Sequence, residues 1–215
     1  GAALLRADAA GAGGPPVAPL LERIQDEGFM EASEEIIHGS DGIRSRLEAD
    51  GTLRSLALLH QGAEAFSDAP ALAAIDAKID ALDPKPVGLG GRLLFLGSEI
   101  GPAAGGETRV SMWFRVTRAM RTDYRMFLHG YVKDRSILPA DRRQFEFANF
   151  DHDVMPPTSV WKPGTIVRHT WIGSIPPGDY RFLFGFFSSK AGRKLDAEGT
   201  SSPAVEIGWR TIPAH

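Results

Sequence analysis

The chain has 215 residues, a formal net charge of −3 and no cysteine, with 43% apolar and 24% charged residues. Those proportions are ordinary for a globular chain and exclude collagen-like, coiled-coil and wholly disordered descriptions. The missing cysteines exclude disulfides, thiolate nucleophiles and Cys-ligated zinc, and no apolar run of about 18 residues is present to span a bilayer.

The charge is divided along the chain. Residues 1–84 carry 15 acidic and 6 basic side chains, a net of −9, whereas residues 85–215 carry 12 acidic and 18 basic, a net of +6. Only Phe29 and Phe66 of the 19 aromatic residues precede residue 85. Three parts follow: a Gly/Ala/Pro-rich tether or leader remnant over 1–16, an acidic helical segment over 17–83, and a basic, aromatic-rich domain over 84–215.

Helical spacing governs 17–83. Pro19 suits a first turn ahead of Leu20, Leu21 and Ile24, Gly28 breaks the element, and Met30–Ile37 resume it. Ser40 or Asp41 caps a helix carrying Ile43 and Leu47, and Gly51-Thr52 separates it from Leu53–His60. Asp68 caps a last helix whose Leu72, Ile75, Ile79 and Leu82 form one apolar stripe. The acids Glu31, Glu34, Glu35, Asp76, Asp80 and Asp83 read as solvated helix faces, because no paired Glu-x-x-His motif accompanies them. His38 and His60 fit helix ends, where the dipole favours them.

From residue 92 the period changes to two. Val110, Met112, Phe114 and Val116 alternate with Arg109, Ser111, Trp113 and Arg115, which predicts a half-buried strand. Tyr124, Met126, Leu128 and Val132 alternate with Arg125, Phe127, His129 and Tyr131 in the next. Residues 165–172 are rich in β-branched side chains, Tyr180–Phe187 is apolar on both faces as a central strand is, and Val205, Ile207 and Trp209 alternate with Glu206 and Gly208. Gly/Pro turns separate these runs, and no helix-length crossover joins them. The predicted fold is α+β: an antiparallel β-sandwich, Ig-like or jelly-roll-like with seven or eight strands, preceded by a small helical segment.

Three motifs in this half point to a known kind of module: Asp151-His152-Asp153, the run from Pro157 through Trp161 to Pro163-Gly164, and Ile175-Pro176-Pro177-Gly178-Asp179-Tyr180. Over about 90–209 the chain resembles the accessory β-sandwich domains at the C-terminal, extracytoplasmic ends of bacterial membrane glycosyltransferases and related cell-envelope proteins. The resemblance implies a non-catalytic role outside the cytoplasm. The motifs also have structural uses: Pro163-Gly164 sets a turn, Trp161 closes one end of the core, and Tyr180 packs its ring inside with its hydroxyl on backbone.

Asp151, His152 and Asp153 are the candidates for a metal site or a hydrolytic centre, against a loop-ordering role for their hydrogen bonds. The EF-hand pattern is absent, as are the His-Glu-x-x-His, Gly-x-Ser-x-Gly, P-loop and dinucleotide motifs. A zinc site from His129, His152 and His169 has no support from spacing. Gly88–Gly91 reads as a flexible lead-in to a strand. The candidate binding surface is the face bearing Trp113, Phe127, His129 and Tyr131, with a basic edge of Arg115, Arg118, Arg121 and Arg125. These residues suit a protein partner in a larger, membrane-associated assembly, or an acidic envelope glycan. No cofactor is implied, and no nucleic-acid-binding motif is present. The expectation is therefore an interaction or scaffolding subunit and not an enzyme. The alternatives are a carbohydrate-binding module and, behind it, a metal-dependent hydrolase around His152.

Overall fold

A computed structural model describes residues 41–83, 85–144, 146–188, 190, 192–198 and 202–214. The tether and the helices predicted over 17–38, with Glu31, Glu34, Glu35 and His38, lie outside them. The chain divides into two compact units, Gly1–Pro84 and Lys85–His215.

The first unit contributes three described helices, α1 (Asp41–Asp50), α2 (Leu53–Ala65) and α3 (Ala69–Leu82). Gly51 adopts φ 61°, a left-handed conformation that ends α1. Thr52 Oγ1 then accepts from the Ser55 amide at 3.3 Å, and Asp68 Oδ1 accepts from the Ala71 amide at 3.1 Å, so each side chain caps the helix it precedes. Leu47, Leu56, Leu59, Ile75 and Ile79 form the buried faces, while Leu82 at the end of the predicted stripe is exposed. His60 is not at a helix end. It is buried within α2, with Nε2 3.4 Å from Asp76 Oδ1 of α3, so it joins two helices.

The second unit is the expected antiparallel sandwich. One sheet has the order β1 (Val87–Leu89), β2 (Leu93–Pro102), β3 (Thr108–Val116), β7 (Ile166–Gly173). The other runs β10 (Val205–Ile212), β8 (Gly178–Ser188), β4 (Arg125–Val132), β5 (Phe147–Asn149), with β6 (His152–Asp153) also on β4 and β9 (Arg193–Lys194) on β8. The strands number ten among the described residues because β1, β5, β6 and β9 are two or three residues long, too short to show a period. Gly90 and Gly91, with φ 55° and 62°, turn β1 into β2, so Gly88–Gly91 is a hairpin and not a flexible lead-in.

The core lies between the sheets. Tyr180, Phe182, Phe184 and Phe186 project inward from β8 and are fully buried, meeting Phe114, Met126, Leu128 and Trp161. Phe114 lies edge-on to Phe184 and to Phe186, at ring-centroid separations of 5.8 and 5.3 Å. Trp161 closes one end of this core, its Nε1 donating to the Pro156 carbonyl at 3.0 Å. Tyr180 packs its ring inside as predicted, but its hydroxyl is buried without a hydrogen-bond partner among the described residues, and burial pushes its pKa up to about 12.

Candidate binding groove on the outer face of one sheet

Strand alternation assigns the candidate residues. On β4, Met126 and Leu128 face the core, and Arg125, Phe127, His129 and Tyr131 face outward. The neighbours in register extend that outer face. Tyr131 lies opposite Phe147 of β5 and Arg181 of β8, and His129 lies opposite Leu183. The rings form a continuous row. His129 stacks on Phe147 at 4.2 Å, and Phe147 meets Tyr131 at 5.2 Å and His129 meets Phe127 at 5.3 Å.

A groove of about 390 Å³ crosses this face. Its floor is Phe127, His129, Tyr131, Leu183 and Phe187, and Ser202-Pro203-Ala204 form a wall. Gly185, opposite Phe127, makes the groove possible: a Cβ there would meet the Phe127 ring and the Pro203 carbonyl oxygen.

Cations ride over the rings of this sheet. Lys194 is 5.9 Å from the Phe127 ring centre, Arg181 5.5 Å from Tyr131, Arg125 5.7 Å from Phe187 and Lys133 4.5 Å from Trp209. Trp209 joins the face through a register shift. Simple alternation puts Val205, Ile207 and Trp209 on one side, but a bulge between Glu206 and Gly208 turns Trp209 outward opposite Arg181, 45% exposed.

Asp151-His152-Asp153 follows the same alternation and does not form one cradle. Asp151 points outward, and its Oδ1 is 3.2 Å from His129 Nε2. An Asx-type contact, from the Asp151 amide to Asn149 Oδ1 at 2.8 Å, shapes the break between β5 and β6. Asp153 points outward to Arg125, Oδ1 to Nε 2.7 Å. His152 points inward, opposite Met126, and meets His169 of β7 with 2.7 Å between the Nε2 atoms and rings stacked at 12°. His129 is thus separated from the other two histidines by the sheet itself, and the three do not converge. Among the described residues no group of three or more metal-type side chains is assembled.

The electrostatics follow burial. Desolvation holds the His129 pKa below its ordinary value, assisted by Lys194 and opposed by Asp151. At neutral pH His129 is therefore a neutral imidazole beside a carboxylate, a polar anchor in a groove otherwise floored by apolar groups. Ser202 Oγ accepts from the Ala204 amide at 3.1 Å, which shapes the wall.

Four of the sequence candidates therefore share one face: Arg125, Phe127, His129 and Tyr131. Trp113 does not belong with them. It is on β3 of the other sheet and only 2% exposed, because both faces of β3 are buried, contrary to the half-buried strand expected. Arg115 is on that strand too, and Arg118 and Arg121 are exposed in the β3–β4 loop, so the basic edge is split among three places. Sequence reading missed Leu183, Phe187, Arg181, Phe147, Lys194 and the 202–204 wall. The available signal was β8: in a two-layer sandwich, a strand apolar on both faces presents an apolar outer face.

No family model and no curated protein matches this chain. Among solved structures, a similar chain is the crystal structure of a Niemann-Pick type C2 protein from Japanese carpenter ant. It is 11% identical, the match covers 60% of this chain and 94% of that one, and the TM-score is 0.29. At that score it says nothing of what this chain binds.

Proposed function

We propose that the chain is a non-catalytic binding module of an extracytoplasmic, membrane-associated assembly, and that it docks its partner in the groove on the outer face of the six-stranded sheet. One observation carries this reading: a concave, aromatic-floored surface of about 390 Å³ whose rings lie under cations. Rings give contact area at little entropic cost, and Lys194 and Arg181 select for acidic side chains on the partner. The extracytoplasmic setting rests on the resemblance of residues 90–209 to envelope modules. Affinity capture from detergent-solubilised native envelopes is the test. The wild-type chain is expected to retain a discrete partner that the Phe127→Ala/Tyr131→Ala variant loses, and retention of that partner by the variant would overturn the assignment of the groove.

The same groove supports a second reading, an acidic-glycan module, because Tyr131 with Arg181 over its ring joins a stacking surface to a cation for a sugar carboxylate. Uronic-acid oligosaccharides on an array separate the two. Binding abolished by Tyr131→Ala favours the glycan, and absence of binding removes it.

A further inference from the structure

A second surface lies at one end of the sandwich and does not depend on the groove. Three loops meet there: 117–124 between β3 and β4, 154–165 between β6 and β7, and the β8–β9 connection. The first two are bonded together. Thr158 Oγ1 accepts from the Tyr124 amide at 2.9 Å, and Asp123 Oδ1 accepts from the Ser159 amide at 3.0 Å. Thr122 and Ser188 bring in the third, with their hydroxyl oxygens 3.5 Å apart.

These loops use most of their apolar side chains in the core: Met120, Tyr124, Val154 and Trp161 are buried. Met155 and Val160 are not, at 69% and 59% exposure, and both sit on the rigidly tied 154–165 loop. Around them, among the described residues, are four exposed cations, Arg118, Arg121, Lys162 and Lys190, and the acid Asp123, while Asp153, paired with Arg125, and Glu198, bonded to the Gly91 amide, lie at the same end of the sheets. The side chain of Ser159, and after it the Ser159 amide, engage Asp123 and hold its pKa below the usual carboxylate value. Arg118, Arg121 and Lys162 make no ion pair among the described residues.

We infer that the Met155/Val160 end rests on an anionic phospholipid surface, with the two apolar side chains at the headgroup boundary and Arg118, Arg121 and Lys162 among the phosphates. Apolar tips beside exposed cations match the two attractions that hold a protein at such a surface, each too weak alone. The occupant is identified by this combination: a soluble acidic partner accounts for the cations but not for two projecting aliphatic groups on a loop that buries Val154 and Trp161.

The absence of cysteine makes the test clean. Single labels are introduced at Met155→Cys and, at the far end, at Glu107→Cys, each carrying an environment-sensitive bimane. Vesicles of phosphatidylcholine alone and with 30 mol% phosphatidylglycerol are the probes. The expected result is sedimentation with the anionic vesicles only, and a blue shift from position 155 but not from 107. Arg118→Gln/Arg121→Gln is expected to lower partitioning about 30-fold, at about fivefold per cation. Because neither arginine makes an ion pair among the described residues, the variant is expected to keep the wild-type urea midpoint. Equal binding to neutral vesicles, no binding, equal shifts from both labels, or heparin binding without a shift at 155 would each overturn the proposal. Tyr131→Ala serves as the groove control: it leaves vesicle binding unchanged whether or not the groove reading holds.

Discussion

The inward histidine pair allows a pH prediction with a definite sign. His152 Nδ1 is 2.7 Å from the Phe150 carbonyl oxygen, which can only accept, so Nδ1 carries the proton and His152 Nε2 is a bare acceptor. His169 Nε2 must then donate across the 2.7 Å contact, which leaves His169 Nδ1 deprotonated, buried and without a hydrogen bond among the described residues. The Met155 backbone exerts a small upward pull but does not reach Nδ1 in hydrogen-bonding geometry. Burial first, and the neighbouring His152 charge second, push the His169 pKa down to about 4 from 6.5. The unfolded chain therefore takes up this proton near pH 6.5 and the folded chain only near 4. The contribution to stability is complete above pH 6.5, falls as the pH drops from there to 4, and is fully lost below. At 1.36 kcal/mol per pH unit the whole span is worth about 3 kcal/mol, of which about 2 kcal/mol is lost between pH 7 and 4.5. All four tryptophans, Trp113, Trp161, Trp171 and Trp209, lie in the sandwich, so tryptophan fluorescence in urea reports on that unit alone. The wild-type midpoint is expected to fall by about 1 M urea over this range, at a slope of about 2 kcal/mol/M. His169→Gln retains an N–H donor toward His152 and cannot be protonated, so its midpoint should move much less. Other titrating groups are common to both proteins and cancel in the comparison. Parallel pH profiles for the two would refute the burial argument.

Three further outcomes follow from packing. Tyr180→Phe removes a buried hydroxyl that has no hydrogen-bond partner among the described residues, so stability is expected to stay within about 1 kcal/mol of wild type or to rise, as thermal unfolding will show. Gly130→Ala places a Cβ 2.8 Å from Tyr180 Cδ1 and 3.1 Å from Phe182 Cε1, and the resulting overpacking should cost about 1–3 kcal/mol in urea titration. Trp113→Ala opens a cavity in a buried site and should destabilise the sandwich by about 3–5 kcal/mol, yet leave partner capture unchanged below the unfolding transition, because Trp113 is not on the groove face.

The sandwich was legible where strands were long. The two-residue period of β4 placed Arg125, Phe127, His129 and Tyr131 together because alternation is local and nothing interrupts it over eight residues. The same rule misplaced Trp209, since the bulge before Gly208, at φ 96°, changes the alternation by one residue and adds no marker beyond the glycine. It also left Trp113 looking like a surface residue: alternation states which side a residue is on and not what covers that side. Asp151-His152-Asp153 looked like one cluster because it is contiguous, and contiguity on a strand sends neighbours to opposite faces. The meeting of His152 with His169 and the 202–204 wall depend on pairings between segments far apart in sequence, which no local pattern encodes. The caps at Thr52 and Asp68, by contrast, are three-residue interactions and could be read directly.

The outer face of the six-stranded sheet is the proposed docking face for the partner. The most direct measurement is photo-crosslinking in intact cells, with a photoreactive amino acid introduced in turn at Leu183 on the groove floor and at exposed Glu99 on β2 of the opposite sheet. A discrete adduct is expected from position 183, one that disappears in the Lys194→Glu background, and none from position 99. An adduct of the same mass from both positions, or from 99 alone, would contradict docking in the groove.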